Sequence, residues 1–277
     1  MGELDNKLKE LEINIQSMGK VAIAFSAGVD STLVLATAKK VLGENVMALT
    51  VSTELQPPYE IEMAKDIAYG LGVRHQLIHL QILNNPQIAR NPKDRCYLCK
   101  KSVLAAILRS AKEKGFPVVV DGTNWDDANS NRPGLLALKD LGIRSPLAEA
   151  GMTKDDVRAA SALLELPTKD KPSNPCLATR IPFDSPLTVE KLRMVDRAEV
   201  GLRELGFADS RVRHHGDIAR IEVPEKRFIE VLEKRLQIIQ LIKEAGFIYA
   251  TFDLQGYRSG SMEEAMKRAK PPSADDI

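Results

Sequence analysis

The sequence predicts an α/β fold: a parallel sheet with helices on both faces, followed by a smaller α+β C-terminal domain. Three observations carry that expectation. Short apolar runs alternate with amphipathic stretches through the first half of the 277-residue chain. A loop rich in serine and glycine, Ser26-Ala27-Gly28-Val29-Asp30-Ser31, joins the first such run to the first amphipathic stretch. Beyond a polar, proline-bearing segment near residue 170, the order of elements changes.

Val21-Ala22-Ile23-Ala24-Phe25 is continuously apolar, as expected of a parallel strand covered on both faces. A helix begins around Thr32-Leu33-Val34-Leu35. Asn45 to Val51 reads as a second buried strand, and residues 57–71 as a helix with proline near its first turn. His75 to Leu80 is the third strand, residues 100–114 a helix, and Pro117 to Gly122 the fourth strand. Such alternation implies right-handed crossovers and a parallel sheet whose ligands bind beyond the carboxyl ends of its strands. That rule places Ser26, Ser52 and Asp121-Gly122-Thr123-Asn124 on one rim. A capping box at Thr153-Lys154-Asp155-Asp156 opens a further helix that stops before Pro167.

The segment Thr168 to Cys176 is polar, holds two prolines and suits a loop or linker. After it come a helix over 188–205, two strands over 212–223 around a His215-Gly216 turn, a helix over 225–245 and a strand over 249–254. The expected domains are therefore 1–170 and 171–277, with a frayed tail at 271–277.

Composition narrows the function classes. The net charge of +1 supplies no bulk field for nucleic acid, and no stretch approaches the roughly 20 apolar residues of a membrane span. The charged N-terminus is helix-like rather than a signal peptide, so a cytoplasmic protein is expected. Three cysteines argue against a disulfide framework and leave metal or sulfur chemistry open.

The loop at 26–31 lacks both the Gly-Lys-Ser/Thr ending of a Walker loop and the three spaced glycines of a dinucleotide fingerprint. It resembles the Ser-Gly-Gly-x-Asp-Ser loop of the PP-loop ATP pyrophosphatases (adenine nucleotide alpha hydrolase-like), with Ala27 in place of the first glycine. Those enzymes cleave ATP between the α and β phosphates to adenylylate a substrate. Unpaired N–H groups at the following helix N-terminus favour an anion there, and the bland alternative is a turn with Ser31 as helix cap. Ser26, Gly28, Asp30, Ser31, Ser52, Gly122 and Thr123 are the expected ATP and pyrophosphate ligands. Trp125 and the acidic Asp126-Asp127 line the cleft or cap a turn.

Cys96-Tyr97-Leu98-Cys99 has metal-ligand spacing, in an expected loop after the third strand, and Cys176 stands far downstream. Three thiolates suit a 4Fe-4S cluster with one iron left open. Structural zinc held with His75 or His79, and thioredoxin-like redox chemistry, are the alternatives. Arg95, Lys100 and Lys101 surround the pair. Arg211 and Arg213 alternate on a strand and share a face where two guanidinium forks would grip a phosphate, unless they are ordinary surface ion pairs. Glu199 and Glu230 lie on the two helices of this domain, and His214-His215 flank a tight turn.

Together the phosphate loop, Asn131-Arg132-Pro133-Gly134-Leu135, Arg211 to Glu222 and Asp253 to Gly260 resemble the LarE family of PP-loop sulfur transferases over nearly the whole chain. The resemblance implies use of ATP and Mg2+ to adenylylate the carboxylates of pyridinium-3,5-biscarboxylic acid mononucleotide and convert them to thiocarboxylates, for the nickel-pincer nucleotide of lactate racemase. It implies that Arg211, Arg213 and Arg258 bind the substrate phosphate, with Glu199 and Glu230 near Cys176. Members with a lone cysteine sacrifice its sulfur, whereas members with three hold a 4Fe-4S cluster that carries sulfide. Cys96, Cys99 and Cys176 place this chain with the second type, drawing on a separate sulfide source. The resemblance also implies a homohexamer. A PP-loop tRNA thiolase, an amide-forming synthetase and a zinc-stabilised nucleotide-binding protein are the competing readings.

Overall fold

A computed structural model describes residues 2–130, 134–172 and 174–258. Asn131 to Pro133, Ser259-Gly260 and the tail at 271–277, all singled out above, lie outside the described residues. The chain divides into two compact units, one formed by residues 1–88 and 93–174, the other by 89–92 and 175–277.

The first unit opens with helix α1 (Glu3–Ser17), then alternates β1 (Val21–Ala24), α2 (Val29–Leu42), β2 (Val46–Ser52), α3 (Pro58–Gly70) and β3 (Arg74–His79). After a short helix, α4 (Pro86–Ala89), come α5 (Arg95–Glu113), β4 (Val118–Val120) and the helices α6 (Trp125–Ala128), α7 (Gly134–Asp140), α8 (Pro146–Glu149) and α9 (Lys154–Leu163). The four strands are all parallel, in the order β3-β2-β1-β4.

Strand period explains why β1 is continuously apolar and β2 apolar through Leu49. Val21, Ile23, Val46 and Ala48 turn to a layer built from α1, α2, α3, α8 and α9. Ala22, Met47, Leu49 and Val51 turn to the opposite layer of α5 and α7. Both faces are dry, and the one polar residue buried within them, Thr50, is satisfied by the Phe25 carbonyl and His75. β3 is an edge strand, and its sequence Arg-His-Gln-Leu-Ile-His carries no fully buried residue.

One helix of this unit departs from expectation. α5 begins at Arg95 rather than Lys100, because nothing between Asp94 and Lys100 breaks a helix and the Asp94 carbonyl accepts the first-turn N–H groups of Tyr97 and Leu98. Cys96 and Cys99 are therefore helical residues and not loop residues. The capping box at Thr153 forms as expected, with reciprocal bonds to Asp156.

The second unit contains α10 (Val189–Glu204), β5 (Arg211–His215), β6 (Ile218–Glu222), α11 (Phe228–Glu233), α12 (Arg235–Glu244) and β7 (Tyr249–Phe252). β5 and β6 form an antiparallel hairpin turned by Gly216 at φ 65°, and β7 adds parallel to β6. The helix expected over 225–245 is broken into a 3-10 turn, α11 and α12. The break falls at Lys234, whose side chain is drawn to the Leu205 carbonyl and the Phe207 ring. His214 is a buried strand residue with its ring against Phe247, so the turn belongs to Gly216-Asp217 instead. Residues 89–92 join this unit because the Asn91 amide donates to the carbonyls of Ile181 and Pro182, and the Ala89 carbonyl accepts from Leu187.

Candidate active site

In the first unit a cavity of about 270 Å³ opens beyond the carboxyl ends of β1, β2 and β4. Ser26, Asp30 and Ser31 line it from the loop, Leu49 and Val51 from β2, and Asp121, Gly122 and Thr123 from the end of β4. Helix α5 adds Lys100, Val103, Leu104 and Ile107, a stripe with helical spacing.

Gly28 takes the N-cap position of α2, and no side chain caps that helix. Ser31 is thus not the cap. Its hydroxyl lies in the first turn, 3.1 Å from the Ser26 hydroxyl and 3.3 Å from the Gly28 carbonyl it donates to. The uncapped first turn leaves N–H groups and the positive end of the helix dipole for an anion. Gly122 is required by close approach: a Cβ there would sit 2.7 Å from the Ser31 nitrogen and 2.9 Å from its Cα. A side chain at 122 would therefore push on the turn that presents those N–H groups.

Asp30 is held by two groups, Lys154 Nζ at 2.5 Å and Asn124 Nδ2 at 2.9 Å. Asn124 is itself buried and caps α6 through Asp127. Asp121 accepts from Thr123 Oγ1 and Ser145 Oγ, both at 2.6 Å, and from Lys100 Nζ at 3.5 Å. Two lysines thus stand at the cavity with long or partly exposed ion pairs. Ser52 does not line it: on a strand, the neighbour of Val51 faces the other way, and the Ser52 carbonyl is used by Leu80. Trp125 is half exposed and also outside the lining, while Asp127 is within it.

Ala27 carries a left-handed backbone, φ 54°, with no exposed surface. Such a conformation costs a non-glycine residue about 1–2 kcal/mol. The Ala27 carbonyl accepts from Lys171 Nζ at 2.9 Å.

None of the three cysteines is in a disulfide. Cys96 and Cys99 lie in the first unit, one helical turn apart on α5, and Cys96 stands four residues before Lys100, where the cavity lining begins. Arg95, buried, donates to Cys96 Sγ at 3.7 Å. Among the described residues no three His, Cys, Asp or Glu side chains converge as a metal cage. His75, weighed above as a zinc ligand, instead pairs with Thr50 Oγ1 at 2.8 Å, and burial lowers its pKa.

In the second unit, Cys176 is partly exposed and caps a 3-10 turn over Leu177–Arg180. Arg180, fully buried, donates to the carbonyls of Pro175 and Cys176 and is gripped bidentately by Glu199 at 2.9 and 3.0 Å. Glu199 also accepts the Val212 N–H at 3.0 Å, tying α10, β5 and the cysteine turn together. Arg213 holds Glu222 at 2.8 and 3.0 Å and donates to the Thr179 carbonyl on the same turn. Arg211 lies over the Tyr257 ring and donates to the Ser210 carbonyl. Burial, with Arg180 next in effect, lowers the Arg211 pKa. Arg258 donates to the Gly256 carbonyl at 3.4 Å. Glu230 is a surface partner of Arg227, at 2.6 Å, rather than of the cysteine turn. Sequence reasoning missed Arg180, Lys154 and Lys171. Arg180 had one local signal, its place four residues after Cys176.

A doubly covered parallel sheet with an uncapped serine-bearing loop at its carboxyl edge defines a PP-loop ATP pyrophosphatase, an ATP-dependent enzyme. The family model described as queuosine biosynthesis protein QueC matches residues 20–92, the stretch that holds this loop. An uncharacterised protein of Synechocystis is 40% identical over 96% of this chain and 100% of its own length. The pyridinium-3,5-bisthiocarboxylic acid mononucleotide synthase of Lactiplantibacillus plantarum is 38% identical over 98% of both chains. An uncharacterised protein of Methanocaldococcus jannaschii is 31% identical over 93% of this chain and 96% of its own. The chain belongs to the LarE family, that of the Lactiplantibacillus plantarum synthase. Among the described residues no helix is long and apolar enough to cross a membrane.

Proposed function

We propose that this enzyme adenylylates the carboxylates of pyridinium-3,5-biscarboxylic acid mononucleotide and converts them to thiocarboxylates, a step in nickel-pincer nucleotide biosynthesis. Likeness to the Lactiplantibacillus plantarum synthase across 98% of both chains carries the reading. ATP occupies the cavity with its phosphates against Ser26, Ser31 and the first turn of α2. A substrate carboxylate oxygen attacks the α-phosphorus, the bond to the bridging oxygen breaks, and pyrophosphate leaves. A sulfur nucleophile then attacks the acyl carbon and AMP departs, leaving a thiocarboxylate.

Asp30 and Asp127 supply the oxygen donors that suit Mg2+ beside the phosphates. Lys100 and Lys154 offset phosphate charge. In the second unit Arg211, Arg213 and Arg258 form the substrate-phosphate region, supported by the concentration of guanidinium groups on β5. Glu199 acts through Arg180 on the Cys176 turn.

Cys96, Cys99 and Cys176 are the ligands we assign to a 4Fe-4S cluster, a soft donor set that suits it, with two of its members one turn apart on α5. When bound, such a cluster supplies sulfide at its unligated iron. The exposed apolar side chains Ile229 and Leu232 on α11 and Leu236 on α12 support burial between copies in a homohexamer.

Anaerobic reconstitution with iron and sulfide, followed by counting product per chain, tests the reading. More than one sulfur transferred per chain, with AMP and pyrophosphate released only when the biscarboxylate nucleotide is present, is expected. A single turnover that ends with Cys176 desulfurised would replace the cluster with self-sacrifice. No substrate-dependent AMP would sink the whole assignment.

A further inference from the structure

Lys171 belongs to the segment that sequence reasoning treats as a linker, yet its side chain turns back into the first unit. Its backbone N–H closes a turn on the Thr168 carbonyl at 3.0 Å. The side chain is only 16% exposed and ends on the Ala27 carbonyl at 2.9 Å. Its nearest carboxylate, Glu60 Oε1, is 4.0 Å away and already accepts the Asn174 amide at 2.9 Å. Burial lowers the Lys171 pKa, and Glu60 only partly restores it. A largely dry ammonium beside the phosphate loop is therefore left with one neutral acceptor and one distant, shared carboxylate.

The atom it grips matters. In a trans peptide the carbonyl and the next N–H point in opposite directions, so holding the Ala27 oxygen aims the Gly28 N–H away from the lysine. Ala27 takes a left-handed φ of 54° that glycine would adopt without strain. A tether on its carbonyl resists relaxation of that peptide.

We propose that Lys171 is a positioning residue for the pyrophosphate half of ATP, holding the left-handed Ala27 peptide so that the loop N–H groups stay aimed at the phosphates. This rests on the ATP-cleaving reading above. It also gives Lys171 a reason: an alanine in the left-handed position makes the tether necessary.

Equilibrium binding of ATP, pyrophosphate and AMP to the full chain tests it, without need of the carboxylate substrate. K171M is expected to weaken ATP and pyrophosphate about tenfold or more, the scale of one hydrogen bond to a charged donor, while AMP stays within about twofold. K171R restores most of the loss by keeping the cation. A27G added to K171M restores part of it by removing the strain. Should K171M fail to fold, K171Q and K171R carry the same ATP-to-AMP comparison. Equal weakening of ATP and AMP, or unchanged ATP binding, overturns the proposal alone. A wild-type chain that binds neither ATP nor pyrophosphate overturns it together with the functional reading.

Discussion

The cavity of the first unit and the arginine cluster of the second deploy charge in opposite ways. At the cavity, Lys100 and Lys154 hold their carboxylates at partly exposed sites, and the loop offers hydroxyls and uncapped N–H groups. In the second unit, Arg180 and Arg213 are buried against Glu199 and Glu222 with short bidentate or paired contacts, and both donate to backbone carbonyls of the turn that follows Cys176. The first arrangement keeps positive charge at the disposal of a ligand. The second commits the Arg180 charge to the conformation of the chain and divides the Arg213 charge between that task and a ligand.

Chemistry should divide along that line most sharply. C176A is expected to lower thiocarboxylate formation at least about a thousandfold, measured by product chromatography, while ATP affinity stays within about twofold. Loss of ATP binding in C176A would erase the division of labour. R180M comes next: it strands the buried Glu199 carboxylate, and chemical denaturation should show about 3–5 kcal/mol lost from the second unit. A loss below about 1 kcal/mol would place Glu199 in contact with water or another cation.

G122A tests the cavity on the same scale. The added methyl meets the Ser31 backbone at 2.7 Å, so about 1–3 kcal/mol of stability and most ATP affinity should go together. K154M should differ from R180M in kind, since its pair with Asp30 is one-third exposed: stability changes by about 0–1 kcal/mol, whereas ATP affinity falls.

Acid has the smallest effect and touches both units. Burial lowers the pKa of His75 in the first and of His214 and His215 in the second. The unfolded chain then takes up protons first, so stability is full above the ordinary histidine value of 6.5 and falls as pH drops below it. A melting temperature that rises on acidification from pH 7 to 5.5 would reverse the sign.

Local pattern carried most of the sheet. β1 and β2 were legible because both faces are dry, and the rim because ligands gather where parallel strands end. Cys96 and Cys99 were misplaced because Arg-Cys-Tyr-Leu-Cys-Lys-Lys shows no apolar period, although nothing in it stops a helix. Arg180 was missed for a different reason. Its partners Glu199 and the Cys176 carbonyl meet it only after α10 and β5 are packed, and no spacing rule links them. Ala27 stood out by identity, but its meaning depended on Lys171, 144 positions away.

The continuity of α5 sets one last constraint. Cys96 and Cys99 share an unbroken rod with Lys100, Leu104 and Ile107, at about 1.5 Å of rise and 100° of rotation per residue. Side chains along that rod are exchangeable one at a time, but its length is not. A single residue inserted between Cys99 and Lys100 would swing both thiols through about 100° around the helix axis and leave every cavity-lining residue in place. The register of the rod, and not the identity of any residue between, decides which way its sulfur faces.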